Sequence, residues 1–159
     1  MPVKKIIHLC LTSCFFLFMV FIISCDSSRV FDDVSRINNS EWKRQEPVSF
    51  DFSIKDTYAL YNVYVQVRNT TDYAFSNLYL FLTTKDAAGV ISRDTIECIL
   101  AAPDGKWLGK GLGKLKENRI LIKKDMRWLA GSYHIQIEQA MRKDILTGIS
   151  DIGLRIEKE

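Results

Sequence analysis

Hydrophobic side chains recur at every second position over most of the chain beyond residue 47. Phe50, Phe52 and Ile54 alternate with Ser49, Asp51 and Ser53. Tyr61, Val63, Val65 and Val67 alternate with Asn62, Tyr64, Gln66 and Arg68. Ile96, Cys98 and Leu100 share one face, with Thr95 and Glu97 opposite; Tyr133, Ile135 and Ile137 repeat the pattern, as do Ile152, Leu154 and Ile156. Period two predicts strands with one dry and one wet face. From Asn77 to Thr84 both faces are apolar, Leu78, Leu80 and Leu82 against Tyr79 and Phe81. That predicts a central strand covered on both sides, or one meeting the N-terminal arm. Arg119–Lys123 reads as a short strand or a helix start. Polar and glycine-rich turns separate these runs, and no long helix is predicted after residue 25. Seven to eight short strands spaced in this way predict an all-β fold, an antiparallel β-sandwich of two sheets.

The first 24 residues follow another rule. Lys4-Lys5 precede an uncharged run from Ile6 to Ile23, which ends at Ser24-Cys25. Basic residues, an apolar helix and a small residue directly before cysteine are the pattern of a bacterial lipoprotein signal. The expected organisation is a signal peptide and signal helix over 1–24, a lipidated tether and irregular N-terminal arm over 25–46, and the sandwich over 47–159. Cys25 is then the lipid acceptor, and several acyl chains, palmitate among them, anchor the domain stably in a membrane. The run is also at the lower edge of the roughly 17–25 residues that a spanning helix needs, so an uncleaved anchor is the competing reading. Both readings put the remaining chain outside the cytoplasm.

Charge and cysteine usage then narrow the function. Without Lys4 and Lys5, the 22 basic residues fall to 20, against 19 acidic ones. A nearly neutral extracytoplasmic domain is a poor nucleic-acid binder. Cys10 and Cys14 leave with the signal and Cys25 is acylated, so Cys98 is the remaining thiol and no disulfide framework is expected. Between Glu97 and Ile99 it reads as a small packed hydrophobe. His134 is the one histidine after the signal, and nothing in the sequence brings it to a nucleophile, so no Ser-His-Asp set is expected; no cysteine–histidine spacing suits zinc. The Gly109, Gly111 and Gly113 alternation lacks the spacing of a phosphate loop. No cofactor, metal or enzymatic activity is expected.

Two surface features remain. Lys106 to Arg127 holds eight basic residues against Glu117 and Asp125, either a solvated loop or a patch for acidic headgroups or an acidic protein. Trp107, Trp128, Tyr73, Tyr79 and Tyr133 could stack on sugars or anchor a protein partner if exposed, and would fill a core if buried. Trp42 is expected to be buried, holding the arm against the domain.

An ordered set of residues across most of the chain resembles the gliding motility lipoprotein GldH family of Bacteroidota. It comprises Trp42 with Phe50-Asp51-Phe52; Tyr61-Asn62 with Arg68-Asn69; Tyr73 with Ser76-Asn77-Leu78-Tyr79-Leu80-Phe81; and Asp104-Gly105-Lys106-Trp107-Leu108-Gly109. Gln139-Ala140-Met141-Arg142, Leu146-Thr147-Gly148-Ile149 and Asp151-Ile152-Gly153-Leu154-Arg155 complete it. Leu115 to Ala130 has no residue-by-residue match. The resemblance implies an accessory lipoprotein of the gliding and type IX secretion machinery. It would assist other envelope lipoproteins or secretion-ring components at the outer membrane. From the residues themselves, Asp26 after the cysteine favours the inner membrane by the rule of enteric bacteria, and Cys25-Asp26-Ser27-Ser28 has no acidic run for surface display, so the domain is expected to face the periplasm. Lipidation of Cys25 is the site carried over. Asp104, Trp107, Gln139, Met141 and Arg142 are the expected partner contacts, because they interrupt regular strands. An ion pair from Arg142 to Asp151 or Asp104 would be a purely structural use of the same residues. A lipid-anchored glycan-binding module is the second functional class, motivated by Trp107.

Overall fold

The computed structural model describes residues 26–159. The expected signal helix and Cys25 lie outside them. Ten strands follow in order: β1 (Arg29–Arg36), β2 (Glu41–Lys43), β3 (Val48–Ile54), β4 (Tyr61–Thr70) and β5 (Asn77–Asp86), then β6 (Gly89–Ile99), β7 (Leu115–Met126), β8 (Gly131–Gln139), β9 (Ile145–Thr147) and β10 (Ile149–Lys158). One four-stranded sheet has the order β1-β10-β4-β7 and the other β3-β8-β5-β6, while β2 and β9 form a short ribbon. Every named pairing is antiparallel.

The inner faces are those that period two picked out. Val63, Val65 and Val67 of β4 and Ile152, Leu154 and Ile156 of β10 meet Leu78, Leu80 and Leu82 of β5 and Ile135 and Ile137 of β8 in one core. Each such side chain contributes about 1.5–3 kcal/mol by leaving water. Cys98 packs into this core, and burial, with the Glu97 charge adding to it, pushes its thiol up to about 12. It is therefore protonated and inert at neutral pH.

Four expectations change. Ten strands occur among the described residues, eight in the two sheets and two in the ribbon, where seven to eight in all were expected. The N-terminal arm is not irregular: β1 pairs with β10 from Arg29↔Glu157 to Arg36↔Asp151. Its sequence, Arg-Val-Phe-Asp-Asp-Val-Ser-Arg, gives no clean alternation because it is an edge strand held by backbone bonds, with most side chains wet. Nor does the arm cover Tyr79 and Phe81. That face of β5 borders solvent, and the Arg93 guanidinium lies over the Phe81 ring, 5.1 Å from its centroid. The suggested short element at Arg119–Lys123 is the middle of the 12-residue β7.

The domain has two ends. At one, Asp26, the β3–β4 loop, the β5–β6 turn and the β7–β8 loop come together, as the pairings Lys158↔Tyr61, Tyr61↔Met126, Ile54↔Gly131 and Lys85↔His134 require. Trp128 closes this end, with ring centroids 5.9 Å from Tyr61 and 5.3 Å from Tyr133, both stacked. The opposite end carries the β4–β5, β6–β7 and β8–β9 connections.

Along one side the free edges β6 and β7 face each other and are clasped by charge. Lys123 Nζ donates to Asp94 Oδ2 at 2.7 Å and to Ser92 Oγ at 3.2 Å. The Lys123 bond holds the Asp94 carboxyl below the usual carboxylate range, burial opposes it, and a Ser92 hydroxyl bond assists. A depressed folded-state pKa adds stability that is present above the unfolded value near 3.9 and lost as pH falls through the folded one. Asp94→Asn is therefore expected to lower the melting temperature at pH 7, with the gap to the parent closing below about pH 4. Parallel thermal melts from pH 7 to pH 2 check this; a gap that is constant throughout contradicts it.

Candidate functional site

The β6–β7 connection, residues 100–114, is a braced projection rather than a slack loop. Gly105 N–H donates to Ala102 O and Ala102 N–H to Lys106 O, closing the Pro103-Asp104-Gly105 turn. Asp104 Oδ1 accepts the Lys106 N–H at 3.0 Å. Leu108 N–H bonds Leu100 O at 2.9 Å, and Lys110 and Glu117 exchange backbone bonds of 2.9 and 2.7 Å. Gly111 has φ +136°, and a Cβ there would lie 2.5 Å from Leu115 O, so no other residue fits this close return of the chain. Leu112 then stands between Gly111 and Gly113 fully exposed, at 100%. Leu108 and Ile99, also exposed, line an open groove of about 750 Å³ with Arg119 and Ile120.

The expected contact residues divide. Asp104 and Arg142 are exposed and Trp107 is half-buried, packed against the core. Gln139 is 1% exposed: its Nε2 donates to Lys143 O and its Oε1 accepts the Met141 N–H. Met141 is buried, its sulfur 3.3 Å from the Tyr79 N–H. These two hold the β8–β9 turn and offer no free surface. Arg142 makes no ion pair among the described residues; Asp151 pairs with Arg36 and Arg68 instead. Of the aromatic candidates, Tyr73, Trp128 and Tyr133 are buried and Tyr79 is exposed. The glycan reading thereby loses most of its stacking surface.

The eight cations from Lys106 to Arg127 do not form one patch. At about 3.4 Å per residue, β7 carries them from one end of the domain to the other. Lys106, Lys110 and Lys114 sit at the Leu112 end. Arg119 pairs with Glu157 and Lys123 with Asp94, and Arg127 is at the Asp26 end.

The outer face of the first sheet holds a charge ladder that the sequence did not single out. Arg155, buried, binds Asp26, Asp32 and Glu157 together. Arg68 lies between Asp151 and Glu117 at 3.3 and 3.5 Å, and Gln66 donates to Asp32 at 3.0 Å. Burial alone would lower the Arg155 pKa; the three carboxylates outweigh it and raise it. The signal was Asp151, Arg155 and Glu157 alternating on one strand, but Asp26 and Asp32, which complete the Arg155 cluster, are remote in sequence.

Many of the residues that carried the resemblance act as braces of this kind. The Trp42 indole N–H donates to Glu46 O at 2.9 Å. Asn69 Oδ1 accepts from Asn118 Nδ2 at 3.0 Å in the core. Tyr73 O–H donates to Asn77 O at 3.0 Å. Gly148, φ +92°, lets the chain pass so close to Tyr73 that a Cβ would lie 2.9 Å from its backbone. Among the described residues no group of three or more metal-ligating side chains converges.

Residues 29–156 match the family model described as GldH lipoprotein. The chain is 37% identical over 152 residues to a gliding motility lipoprotein GldH homolog of Christiangramia forsetii, covering 90% of this chain and 93% of the relative. It is 34% identical over 147 residues to the gliding motility lipoprotein GldH of Flavobacterium johnsoniae, covering 88% and 91%. Among solved structures, the infectious bursal disease virus VP2 subviral particle aligns with a TM-score of 0.36 and 15% identity, over 84% of this chain and 34% of that one.

Proposed function

The chain belongs to the GldH lipoprotein family, and from that premise we propose that it is a lipid-anchored accessory protein of the gliding motility and type IX secretion machinery. It acts by binding other envelope proteins and not as an enzyme. In this reading the signal peptide, residues 1–24, is removed and Cys25 carries the lipid. The anchor lies in the outer membrane with the domain facing the periplasm. Its partners are envelope lipoproteins or secretion-ring components.

The observation that favours a protein contact is the Leu112 projection. Leu108 and Leu112 are exposed on one braced loop that also carries Lys106, Lys110 and Lys114, and Ile99 lines the adjoining groove; apolar surface gathered on a rigid projection favours a contact site. Asp104, the edge of Trp107 and Arg142 flank the same end; Gln139 and Met141 fix the turn that presents Arg142. Anchoring confines the domain to two dimensions, so a weak contact suffices.

The test is affinity capture of the full-length lipidated chain from its own envelope, with a variant carrying Leu108→Asp and Leu112→Asp. Both positions are exposed, so stability is expected to shift by no more than about 0.5 kcal/mol. The parent is expected to retain envelope lipoproteins or ring components and the variant to lose them. An unchanged set of captured proteins would remove this end as the contact.

A further inference from the structure

We propose that the Asp26 end of the domain is seated directly on the phospholipid headgroup layer, with Tyr58 and Leu129 inserted into it. The proposal rests on the reading of Cys25 as the lipidated residue. It adds an orientation and a second, non-covalent membrane contact.

The first observation is the absence of slack. A spacer between anchor and fold would let the domain tumble, and the tether expected at the start of 25–46 would supply one. Instead Asp26 is already fixed. Its carboxylate accepts the Ser28 hydroxyl at 2.7 Å and binds the buried Arg155, and its carbonyl accepts the Arg29 N–H. β1 begins three residues later. Ser28 first, then Arg155, hold the Asp26 carboxyl below the usual carboxylate range, so the latch stays charged at neutral pH. The preceding residue is one peptide link away, about 3.8 Å between Cα atoms. Acyl chains on that residue bring this end of the sandwich against the headgroups.

The second observation is what that end displays. Tyr58, on the β3–β4 loop, is 93% exposed and Leu129, on the β7–β8 loop, is 77% exposed. Among the large hydrophobic residues described, only Leu112, at the opposite end, is more exposed. Single exposed apolar residues are ordinary. Two on separate loops, at the end where the chain enters the fold, are not scattered. Tyrosine is the side chain that prefers the membrane interface, with an apolar ring and a polar tip. Both loops are stiff. Asp56 Oδ1 accepts the Tyr58 N–H at 3.0 Å, and Asp56 is tied to Lys158 at 3.0 Å. The carbonyl of Leu129 accepts the Tyr133 hydroxyl, and Trp128 beside it is stacked on Tyr61. Lys55 and Arg127 are exposed next to these tips and make no ion pair among the described residues, so both are free to meet lipid phosphate. The depth implied is that of an interfacial anchor, about 5–10 Å into the headgroup boundary.

The test uses the full-length lipidated protein in vesicles of phosphatidylethanolamine and phosphatidylglycerol. Nitroxide labels are placed through Tyr58→Cys, Leu129→Cys and, as a distal reference, Leu112→Cys; native Cys98 is too buried to react. Collision with a water-soluble nickel chelate and with oxygen reads depth, and the mass of the protein reads acylation. Labels at 58 and 129 are expected to be several-fold less accessible to nickel than the label at 112, and more accessible to oxygen. If the mass shows acyl chains and all three labels meet nickel equally, the seat is overturned and anchoring stands. An unmodified Cys25 overturns both. Labels open in vesicles but shielded in native envelope also overturn the seat, and give this end to a protein neighbour.

Discussion

Trp42→Ala is expected to destabilise the domain by about 3–5 kcal/mol, the range for emptying a large buried aromatic site. Trp42 sits on the three-residue β2, opposite Leu146 on the three-residue β9, and is 1% exposed. Such short strands hold little by their own backbone bonds. The indole supplies the apolar area that fixes the ribbon to the core, and its N–H ties the Glu46 carbonyl at the turn into Pro47. In a domain whose total stability is about 5–15 kcal/mol, this loss is a large share. Urea unfolding checks it, with Trp42→Phe as the milder comparison. A loss below about 1 kcal/mol, the size of an average substitution, would mean that the ribbon does not depend on this side chain.

Arg155→Met is expected to cost about 3 kcal/mol, the low end of what removing one partner of a buried ion cluster costs. Arg155 is buried among Asp26, Asp32 and Glu157, whereas the carboxylates keep partial contact with water, which screens part of their mutual repulsion. Methionine fills the space of the stem and supplies none of the charge. The loss should be local before it is global. Asp26 and Asp32 belong to the N-terminal segment and β1, and that edge strand should open first. Amide exchange is expected to speed up in 29–36 well before it does in β4 or β5. Equal acceleration in all strands would show that Arg155 stabilises the whole sheet and not its edge.

These substitutions bear on function differently. Trp42 keeps the far end in shape, beneath the β8–β9 turn that presents Arg142. Arg155 fixes Asp26, and with it the entry of the chain into the fold. In the reading proposed above, the first serves the partner contact and the second the stance on the membrane.

Much of the fold was legible because burial in a two-layer sandwich writes itself into sequence. β3, β4, β8 and β10 each place alternate residues against a shared core, and period two follows from the pleat. β1, β2 and β9 left no such mark. Edge and ribbon strands are selected by backbone pairing with partners far along the chain, and their side chains stay mixed. Tyr79 and Phe81 misled because two large aromatics beside three leucines read as a doubly covered strand. Phe81 is instead covered by a single arginine from the next strand. Gln139 and Met141 misled for a related reason: residues that interrupt a strand can be there to brace a turn from inside, and exposure is invisible in one dimension.

The sequence by itself determined the strand periodicity and the family resemblance, since both depend on which residue types occur and in what order. Tertiary structure alone decided which cations stand together, which aromatics are wet, and that Asp26 is already locked into the fold. Each of these turns on residues distant in sequence, and their juxtaposition follows from how two sheets stack, which no local pattern encodes.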